Sequence, residues 1–287
     1  MRIVTRLRDN PVLRESFFQL ARQVFDLDFS PWYQGGWWGE DYQPMALVEG
    51  DRVLANVSST PFCFCWEGRT LRFVQLGTVM THPDFRGQGF ARLLMTETLR
   101  RWEGRCDGFY LYAHEGVADF YPKFGFHPGR ETGFQLRVLP PMDGYRQGEA
   151  LPIRPDTPGG ENILRRCWEK GNHFSALTAD NWGLVMFYCH RMLRDAVWYL
   201  PRHDAVVILE QTPGGPLCWD VFGGEGAPLR QLLTPLVSGK VRLGFTPLPG
   251  CGAIEAPPPE DAFFFVRDGC RSFFEEQKAA FPLLSHT

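Results

Sequence analysis

The sequence lacks the features that mark membrane, secreted and nucleic-acid-binding proteins. Its most apolar short runs, such as AFFFV at 262–266, are far shorter than the roughly 18 residues of a membrane span. The N-terminus MRIVTRLRDN has no apolar core of the kind that a signal peptide needs. The net charge of −3 leaves no basic excess for binding a nucleic-acid backbone. We therefore expect a soluble, cytoplasmic protein that binds neither a membrane nor nucleic acid.

The eight cysteines include no CxxC pair. Cys63 and Cys65 would share one face of a strand, but no nearby His or Cys pair completes a zinc set. In a chain without an export signal, reduced thiols that are mostly buried in packing roles are the simplest interpretation. We expect no metal site.

The length and composition indicate two folded units. Apolar residues make up 44% of the 287 residues, enough for a real core, and one domain per about 150 residues suggests two domains. Five prolines and four glycines between 139 and 160 indicate a linker. We therefore predict one domain at 1–145 and a second at 155–287.

The hydrophobic pattern of the first half predicts a mixture of helices and strands. A helix at 11–28 carries one apolar stripe, and a second amphipathic helix begins near residue 90. Strands are expected at 45–50, 52–68, 70–83, 109–114 and 131–139, the last of which would end this half. Gly77 lies inside the strand 70–83, where a glycine often marks a bulge.

The second half has a mixed pattern as well. Helices are expected at 160–171, 181–194 and 227–237, and strands at 196–201, 205–210, 217–222, 241–246 and 262–267. The segment WDVFGGEGAPLRQLL repeats the order of strand, Gly-rich loop and helix. The predicted fold class is α/β, of the α+β type, with a smaller α/β domain after the first.

The loop HPDFRGQGFARLL, residues 82–94, joins the strand 70–83 to the next helix. A helix N-terminus offers free backbone N–H donors and suits a phosphate. Gly87 and Gly89 let the backbone approach a ligand closely, and Arg86 can add a charge-assisted contact. Two other interpretations stay open for the loop alone. One is a dinucleotide-binding fingerprint, from which the loop departs at Arg92, and the other is a plain turn with a solvated arginine.

Two motifs in the right order carry a resemblance to a known family. The segment RGQGFA at 86–91 fits the pattern R/Q-x-x-G-x-G/A, and the strand before it ends in VMTHP. Further on, ADFYPKFGFHP at 118–128 has an aromatic-Tyr pair followed by Phe-Gly-Phe. Residues 1–138 thereby resemble the GNAT superfamily of acyl-CoA-dependent N-acyltransferases, which implies a mixed, mostly antiparallel sheet flanked by helices. The second half is similar to a degenerate second GNAT-like unit, as in tandem members of the enhanced intracellular survival type.

The resemblance also implies roles for single residues. Backbone groups of Val79, Met80 and Thr81 would pair with the pantetheine arm, and a bulge at Gly77 would open the slot that receives it. The N–H near Val79 or Met80 would polarise the thioester carbonyl. The main-chain amides that would hold the pyrophosphate belong to Arg86, Gly87, Gln88, Gly89, Phe90 and Ala91. Tyr121 matches the tyrosine that protonates the leaving thiolate, with packing between helix and sheet as its alternative role.

One position departs from the family pattern, because His114 stands where many members carry Asn. Its expected contact with CoA therefore depends on the N–H donor of the imidazole. A general base must take a proton from the attacking ammonium, and the side-chain candidates are Glu115, His114, Glu40 and Asp41. In tandem relatives the C-terminal carboxylate can reach the active site, and the apolar tail EEQKAAFPLLSHT makes Thr287 a further candidate.

The aromatic segment PWYQGGWWGEDY at 31–42 is a candidate border of the acceptor site. Aromatic rings beside Glu40 and Asp41 suit a cationic amine. These rings belong to Trp32, Tyr33, Trp37, Trp38 and Tyr42. Packing of the first helix onto the sheet is their alternative role.

The main functional hypothesis is an acetyl-CoA-dependent N-acetyltransferase. It would move an acetyl group to a small-molecule primary amine by direct attack in a ternary complex. The alternatives are a non-catalytic acyl-CoA-binding sensor, whose second half has an interaction role, and a nucleotide-dependent oxidoreductase. The acceptor, the acyl length and the oligomeric state, a homodimer included, stay open.

Overall fold

The computed structural model describes residues 1–140, 149–258 and 263–287, so the predicted domain limit at residue 145 lies outside the described residues. The described α-helices are α1 (Pro11–Phe25), α2 (Ser30–Gln34), α3 (Phe90–Trp102), α4 (Pro158–Trp168), α5 (Trp182–Arg191), α6 (Leu229–Leu233) and α7 (Gly269–Glu276). Short 3-10 helices cover Pro83–Phe85, Glu115–Phe124 and Leu283–Ser285. Among the described residues, no helix is long and apolar enough to cross a membrane.

The strands fall into two sheets. The strands of the first sheet are β1 (Arg2–Val4), β2 (Gln43–Glu49), β3 (Arg52–Trp66), β4 (Arg69–Thr81), β5 (Gly108–Ala113), β6 (His127–Pro128), β9 (Leu177–Ala179) and β15 (Phe263–Asp268). Those of the second sheet are β7 (Gly133–Val138), β8 (Leu151–Pro152), β10 (Val197–Leu200), β11 (Ala205–Thr212), β12 (Gly215–Gly223), β13 (Gly239–Leu243) and β14 (Ile254–Ala256).

The first sheet is mixed and mostly antiparallel. β1 to β4 form an antiparallel meander, and β5 lies parallel to β4. β15, from near the end of the chain, is antiparallel to β5, and β6 pairs with β15. The second sheet has β12 parallel to β13, with antiparallel pairs elsewhere along its described strands. Two mostly antiparallel sheets flanked by helices confirm the predicted fold class.

The chain exchanges a strand between its two halves in each direction. β7, which the sequence predicts as the last strand of the first half, pairs with β13 and β14 of the second sheet. Its residues Leu136 and Val138 are buried in the hydrophobic core of the second sheet. β15 crosses the other way. It pairs with β5 and so extends the first sheet, and its side chains Phe264 and Val266 are buried against that sheet. The division into domains at 1–145 and 155–287 stays a prediction.

The two faces of β4 are covered differently. Val74 and Leu76 face the cluster formed with Leu94 and Met95 of α3. Phe73 lies in another cluster, whose members come from β3, β5, β15 and the C-terminal segment. This arrangement gives β4 one face toward α3 and another toward the end of the chain.

Candidate functional site

β4 carries a bulge in the middle of the first sheet. Ser58 pairs with Gly77 and Asn56 pairs with Met80, so two residues of β4 face one residue of β3. Thr78 has a φ of 46°, a left-handed conformation that is rare for a β-branched residue. The bulge therefore lies directly after Gly77, the residue at which the sequence predicts it.

Buried polar side chains hold the bulge in place. The Tyr42 hydroxyl lies 2.7 Å from Thr78 Oγ1, and Ser58 Oγ donates to the Tyr42 oxygen at 2.9 Å. Asn56 Nδ2 donates to Ser58 Oγ at 2.9 Å and to the Thr78 carbonyl oxygen at 3.0 Å. These bonds offset the backbone strain at Thr78, which is of order 1–3 kcal/mol. Sequence reasoning missed this network, because no motif connects Tyr42 to residues of β3 and β4.

β4 and β5 separate next to the bulge. Their parallel pairing ends at Gln75 and Tyr110. β4 continues to Thr81 with β3 as its partner, and β5 continues to Ala113 with β15 as its partner. The edge of β4 at residues 79–81, which holds the predicted pantetheine contacts, is therefore not paired with β5. A slot between two separating strands offers main-chain groups to an extended ligand that carries amides.

The loop after β4 and the start of α3 frame an open depression of about 510 Å³, lined by Thr81, residues 85–92 and Phe120. Gly87 and Gly89 have φ angles of 79° and 82°, which residues with a Cβ rarely adopt. No described side chain caps α3, so its first N–H groups are available to a ligand. Arg86 is exposed, and its Nε lies 3.4 Å from the Thr81 carbonyl oxygen. All six residues predicted to hold the pyrophosphate line this one depression.

Tyr121 lies on the α3 side of the first sheet. Its ring is buried against Phe126 and Phe265, with centroid distances of 6.4 and 5.8 Å. Its hydroxyl has no hydrogen-bond partner among the described residues. Burial raises the pKa of Tyr121 to about 12, so the phenol keeps its proton at neutral pH. The packing role that the sequence allows for Tyr121 is present, and the hydroxyl stays free to donate to a ligand.

The end of the chain lies against the other face of β4. Gln75 Nε2 lies 3.4 Å from the main-chain oxygen of Thr287. A Cβ at Gly77 would lie 2.8 Å from that oxygen and from Thr287 Oγ1, which is shorter than a normal contact. Gln75 Oε1 and Thr287 Oγ1 are buried and have no hydrogen-bond partner among the described residues. Buried polar atoms left open in this way are typical of a site that receives a polar group.

The segment before Thr287 is buried and fixed by aromatic contacts. Phe281 stacks on Tyr110 and His286 stacks on Tyr112, each with ring centroids 4.0 Å apart. The Tyr188 hydroxyl donates to the His286 carbonyl oxygen at 3.0 Å. The apolar tail therefore docks between the two sheets, and Gly77 accommodates its last residue.

His114 and Glu115 lie at the start of the 3-10 helix that holds Tyr121. Both are exposed, and His114 Nδ1 accepts a hydrogen bond from the N–H of Gly116 at 3.2 Å. This bond places the imidazole proton on Nε2, which faces away from the turn. The structure gives neither residue a described contact with Thr287 or with the bulge.

Glu40 and Asp41 precede β2 and are both exposed. Glu40 forms an ion pair with Arg8. Desolvation, and then the charges of Asp180 and Glu40, raise the pKa of the Asp41 carboxyl. Arg6, Arg8 and Arg101 line the same cavity as Glu40, and neither acid is a buried base.

The aromatic segment 31–42 packs mainly into the core. Trp32, Trp38 and Tyr42 are buried in the cluster that includes the apolar face of α1. Trp32 Nε1 donates to the Gly183 carbonyl oxygen at 2.7 Å, and Trp38 Nε1 donates to that of Tyr42 at 3.1 Å. Tyr33 and Trp37 are half-buried. The buried rings therefore have a packing role. Trp38 and Tyr42 also line an open cavity of about 360 Å³ together with Glu40, and the acceptor border stays a prediction.

The cysteines are all reduced thiols in the described structure. Cys63 and Cys65, expected as packing residues, are instead exposed, because this end of β3 borders an open cavity. Among the described residues, no three His, Cys, Asp or Glu side chains are grouped so that they could hold a metal ion.

The part of the chain with this geometry matches a known family. Residues 13–129 match the family model described as an acetyltransferase (GNAT) domain. The match spans the bulged strand, the glycine loop and Tyr121, which are the features that carry the resemblance in the sequence. Residues 13–129 therefore form an acetyltransferase domain of the GNAT type. No curated protein sequence matches it.

Solved structures share the fold over nearly the whole chain. A probable N-acyltransferase from Enterococcus faecalis V583 is 14% identical, with 96% of this chain and 74% of that chain covered at a TM-score of 0.58. A GCN5-related N-acetyltransferase from Kribbella flavida is 15% identical, with 93% and 70% covered at 0.55. Eis1 from Mycobacterium abscessus is 13% identical, with 94% and 74% covered at 0.55. At this identity the likeness shows the fold alone.

Proposed function

We propose that this protein transfers the acetyl group of acetyl-CoA to a primary amine of a small molecule, by direct attack in a ternary complex. The observation that carries the proposal is the placement of three features around the bulge of β4. The glycine loop and the slot lie along its edge, Tyr121 lies toward one face, and Thr287 lies against the other. The names of the solved neighbours, which include N-acyltransferases and N-acetyltransferases, support transfer to nitrogen.

The residues of the loop and slot fit acetyl-CoA. Residues 86–91 offer backbone N–H groups and the charge of Arg86 to the pyrophosphate. The unpaired edge of β4 at Val79, Met80 and Thr81 suits the amides of pantetheine. An N–H of this edge near the bulge would polarise the thioester carbonyl, a contribution of about 3 kcal/mol in comparable sites. His114, exposed directly after β5, is proposed to donate from Nε2 to the co-substrate.

Tyr121 is proposed to be the general acid. Because burial raises its pKa to about 12, the phenol is protonated and can donate to the sulfur as the carbon–sulfur bond breaks. Its hydroxyl makes no competing hydrogen bond among the described residues, and its ring is fixed by Phe126 and Phe265. The thiol then carries the proton that Tyr121 has lost.

The general base is proposed to be a C-terminal carboxylate at Thr287, the role that the resemblance to tandem relatives implies. An amine nucleophile must lose a proton as its nitrogen bonds to the carbonyl carbon, and a fixed carboxylate is a suitable acceptor. Gln75 orients the Thr287 oxygen, and Gly77 leaves room for it. Glu115, His114, Glu40 and Asp41 are weaker candidates, because each lies on the exposed surface.

The test measures thiol release from acetyl-CoA with a panel of small primary amines. We expect turnover by the wild type, a large loss of kcat in Tyr121→Phe, and a large loss on removal of Thr287, with acetyl-CoA binding retained in both variants. Tyr199→Phe, a change of the same kind on the second sheet, is the matched control and should keep full activity. Binding of acetyl-CoA without turnover on any amine would instead establish the sensor alternative. The cytoplasmic location and the homodimer stay predictions from the sequence.

A further inference from the structure

A second cavity, of about 540 Å³, lies apart from the proposed transfer site. It is bounded by β9 and the end of β3 in the first sheet, by β12 of the second sheet, and by Pro282. It shares no lining residue with the depression at the glycine loop, and neither Gly77 nor Thr287 lines it. A ligand held here would therefore be distinct from acetyl-CoA.

Asp220 is a buried charged group that lines this cavity, and it is 6% exposed. Its Oδ1 accepts hydrogen bonds from Asn172 Nδ2 at 2.5 Å and from the N–H of Val221 at 2.8 Å. Asn172 is itself held, because its Oδ1 accepts from the N–H of Phe174 at 2.8 Å. Asp220 Oδ2 has no donor and no ion-pair partner among the described residues. A buried carboxylate with one oxygen left open lacks a cationic partner.

The walls around Asp220 are aromatic and the rim is acidic. Trp168, Phe222 and Phe245 supply rings, while Glu169 and Asp180 lie at the exposed rim. Lys170 also lies at the rim, but Asp204 holds its ammonium in an ion pair. The connection between α4 and β9 carries one more titratable side chain that lines the cavity, His173. Aromatic faces together with a carboxylate are the groups that recognise organic cations.

We propose that this cavity binds an organic ammonium ion. The ammonium group meets Asp220 Oδ2, and the apolar part of the ligand packs against Trp168, Phe222 and Phe245. Two neighbouring observations support it. Asn172 and Val221 orient the Asp220 carboxylate before a ligand binds, so binding costs little conformational entropy at this side chain. Burial raises the pKa of Asp220 to about 7, and a bound cation would offset the cost of ionising it.

The test is calorimetric titration of the full chain, without acetyl-CoA, with phenethylamine at about pH 8, where the Asp220 carboxyl is ionised. 2-Phenylethanol, of nearly the same shape but uncharged, is the control ligand. We expect the amine to bind and the alcohol to bind at least about tenfold more weakly. Asp220→Asn keeps an oxygen acceptor for Asn172 and Val221 but removes the charge, and it should weaken amine binding by at least about tenfold. Asp180→Asn removes a charge from the exposed rim and should change the affinity by less than about threefold.

A second variant separates loss of the site from loss of the fold. Cys65→Trp places a large side chain at the exposed end of β3, where it narrows the cavity and leaves Asp220 untouched. It should also weaken amine binding, with thermal unfolding close to that of the wild type. Tyr121→Phe, which changes the transfer site alone, should bind phenethylamine normally. Equal affinity of the wild type and Asp220→Asn, or no binding by the wild type, would overturn the proposal.

Discussion

Replacing Gly77 by alanine is the sharpest test of how the end of the chain reaches β4. The added Cβ would lie 2.8 Å from the main-chain oxygen and from Oγ1 of Thr287. Non-bonded contacts are favourable only from about 3.5 Å, so the chain end must move by roughly 0.7 Å or more. Gly77 is outside the left-handed region, so alanine adds no backbone strain there. Because the clash involves a main-chain oxygen of a buried segment, we expect the free energy of unfolding to fall by about 1–3 kcal/mol.

The functional effect of this small shift is large if Thr287 acts in the reaction. A displacement of about 1 Å in a reacting group can cost a factor of roughly 10² in rate. Steady-state thiol release with a saturating amine should therefore show kcat of Gly77→Ala lowered by about 10- to 100-fold. The dissociation constant of acetyl-CoA, measured by calorimetry, should stay unchanged, because the glycine loop is not altered.

A double-mutant cycle separates this effect from a general disturbance of β4. If the methyl group acts through the chain end, Gly77→Ala should add less than about a twofold loss once Thr287 is deleted. An equal loss of kcat with and without Thr287 would show that the methyl group acts on the strand itself. Wild-type kcat in the single variant would refute the role of the close approach altogether.

Three further changes test other parts of the structure. Burial raises the pKa of Asp220 from 3.8 to about 7, so ionising this group costs stability as the pH rises between these values. Asp220→Asn should therefore be more stable than the wild type at pH 8, by up to about 4 kcal/mol, and a urea-unfolding difference that does not grow between pH 4 and pH 8 would contradict this. Gly89→Ala places a Cβ at a φ of 82°, so we expect the free loop to relax to another conformation. Restoring the binding conformation then costs about 1–2 kcal/mol, and the affinity for acetyl-CoA in calorimetry should fall by about tenfold, whereas an unchanged affinity would contradict the need for glycine here. Tyr42→Phe removes the hydroxyl between Ser58 and Thr78 and should lower the free energy of unfolding by about 1–3 kcal/mol. An unchanged value would show that the bulge is stable without this hydrogen-bond network.

Local features of the site could be predicted from the sequence because neighbouring residues determine them. The glycine loop follows β4 directly and leads into α3, so a short motif contains the strand end, the two left-handed glycines and the helix start. Tyr121 could likewise be identified from its neighbours in the motif ADFYPKFGFHP. In both places the chemistry needs residue types at fixed spacing within one stretch of chain.

Contacts between distant residues could not be predicted in the same way. Gln75 and Thr287 meet across almost the whole chain, and Asp220 meets Asn172 from another element. No spacing rule connects such pairs, since each depends on how the elements pack. The exchange of β7 and β15 could not be predicted for a related reason. An alternating apolar pattern predicts a strand but does not specify the sheet to which the strand belongs.

The exchanged strand β15 explains why the second half of the chain matters to the proposed reaction. β15 pairs along the full length of β5, and its Phe265 packs against the ring of Tyr121 at 5.8 Å. The same strand leads through α7 into the buried segment that brings Thr287 to Gly77. One stretch of chain therefore fixes the proposed acid by packing and delivers the proposed base by close approach. Residues 1–140 alone would keep the glycine loop but would lose three features: the partner strand of β5, one wall of the Tyr121 site, and Thr287. The proposed binding of acetyl-CoA and the proposed acetyl transfer therefore depend on different parts of the chain.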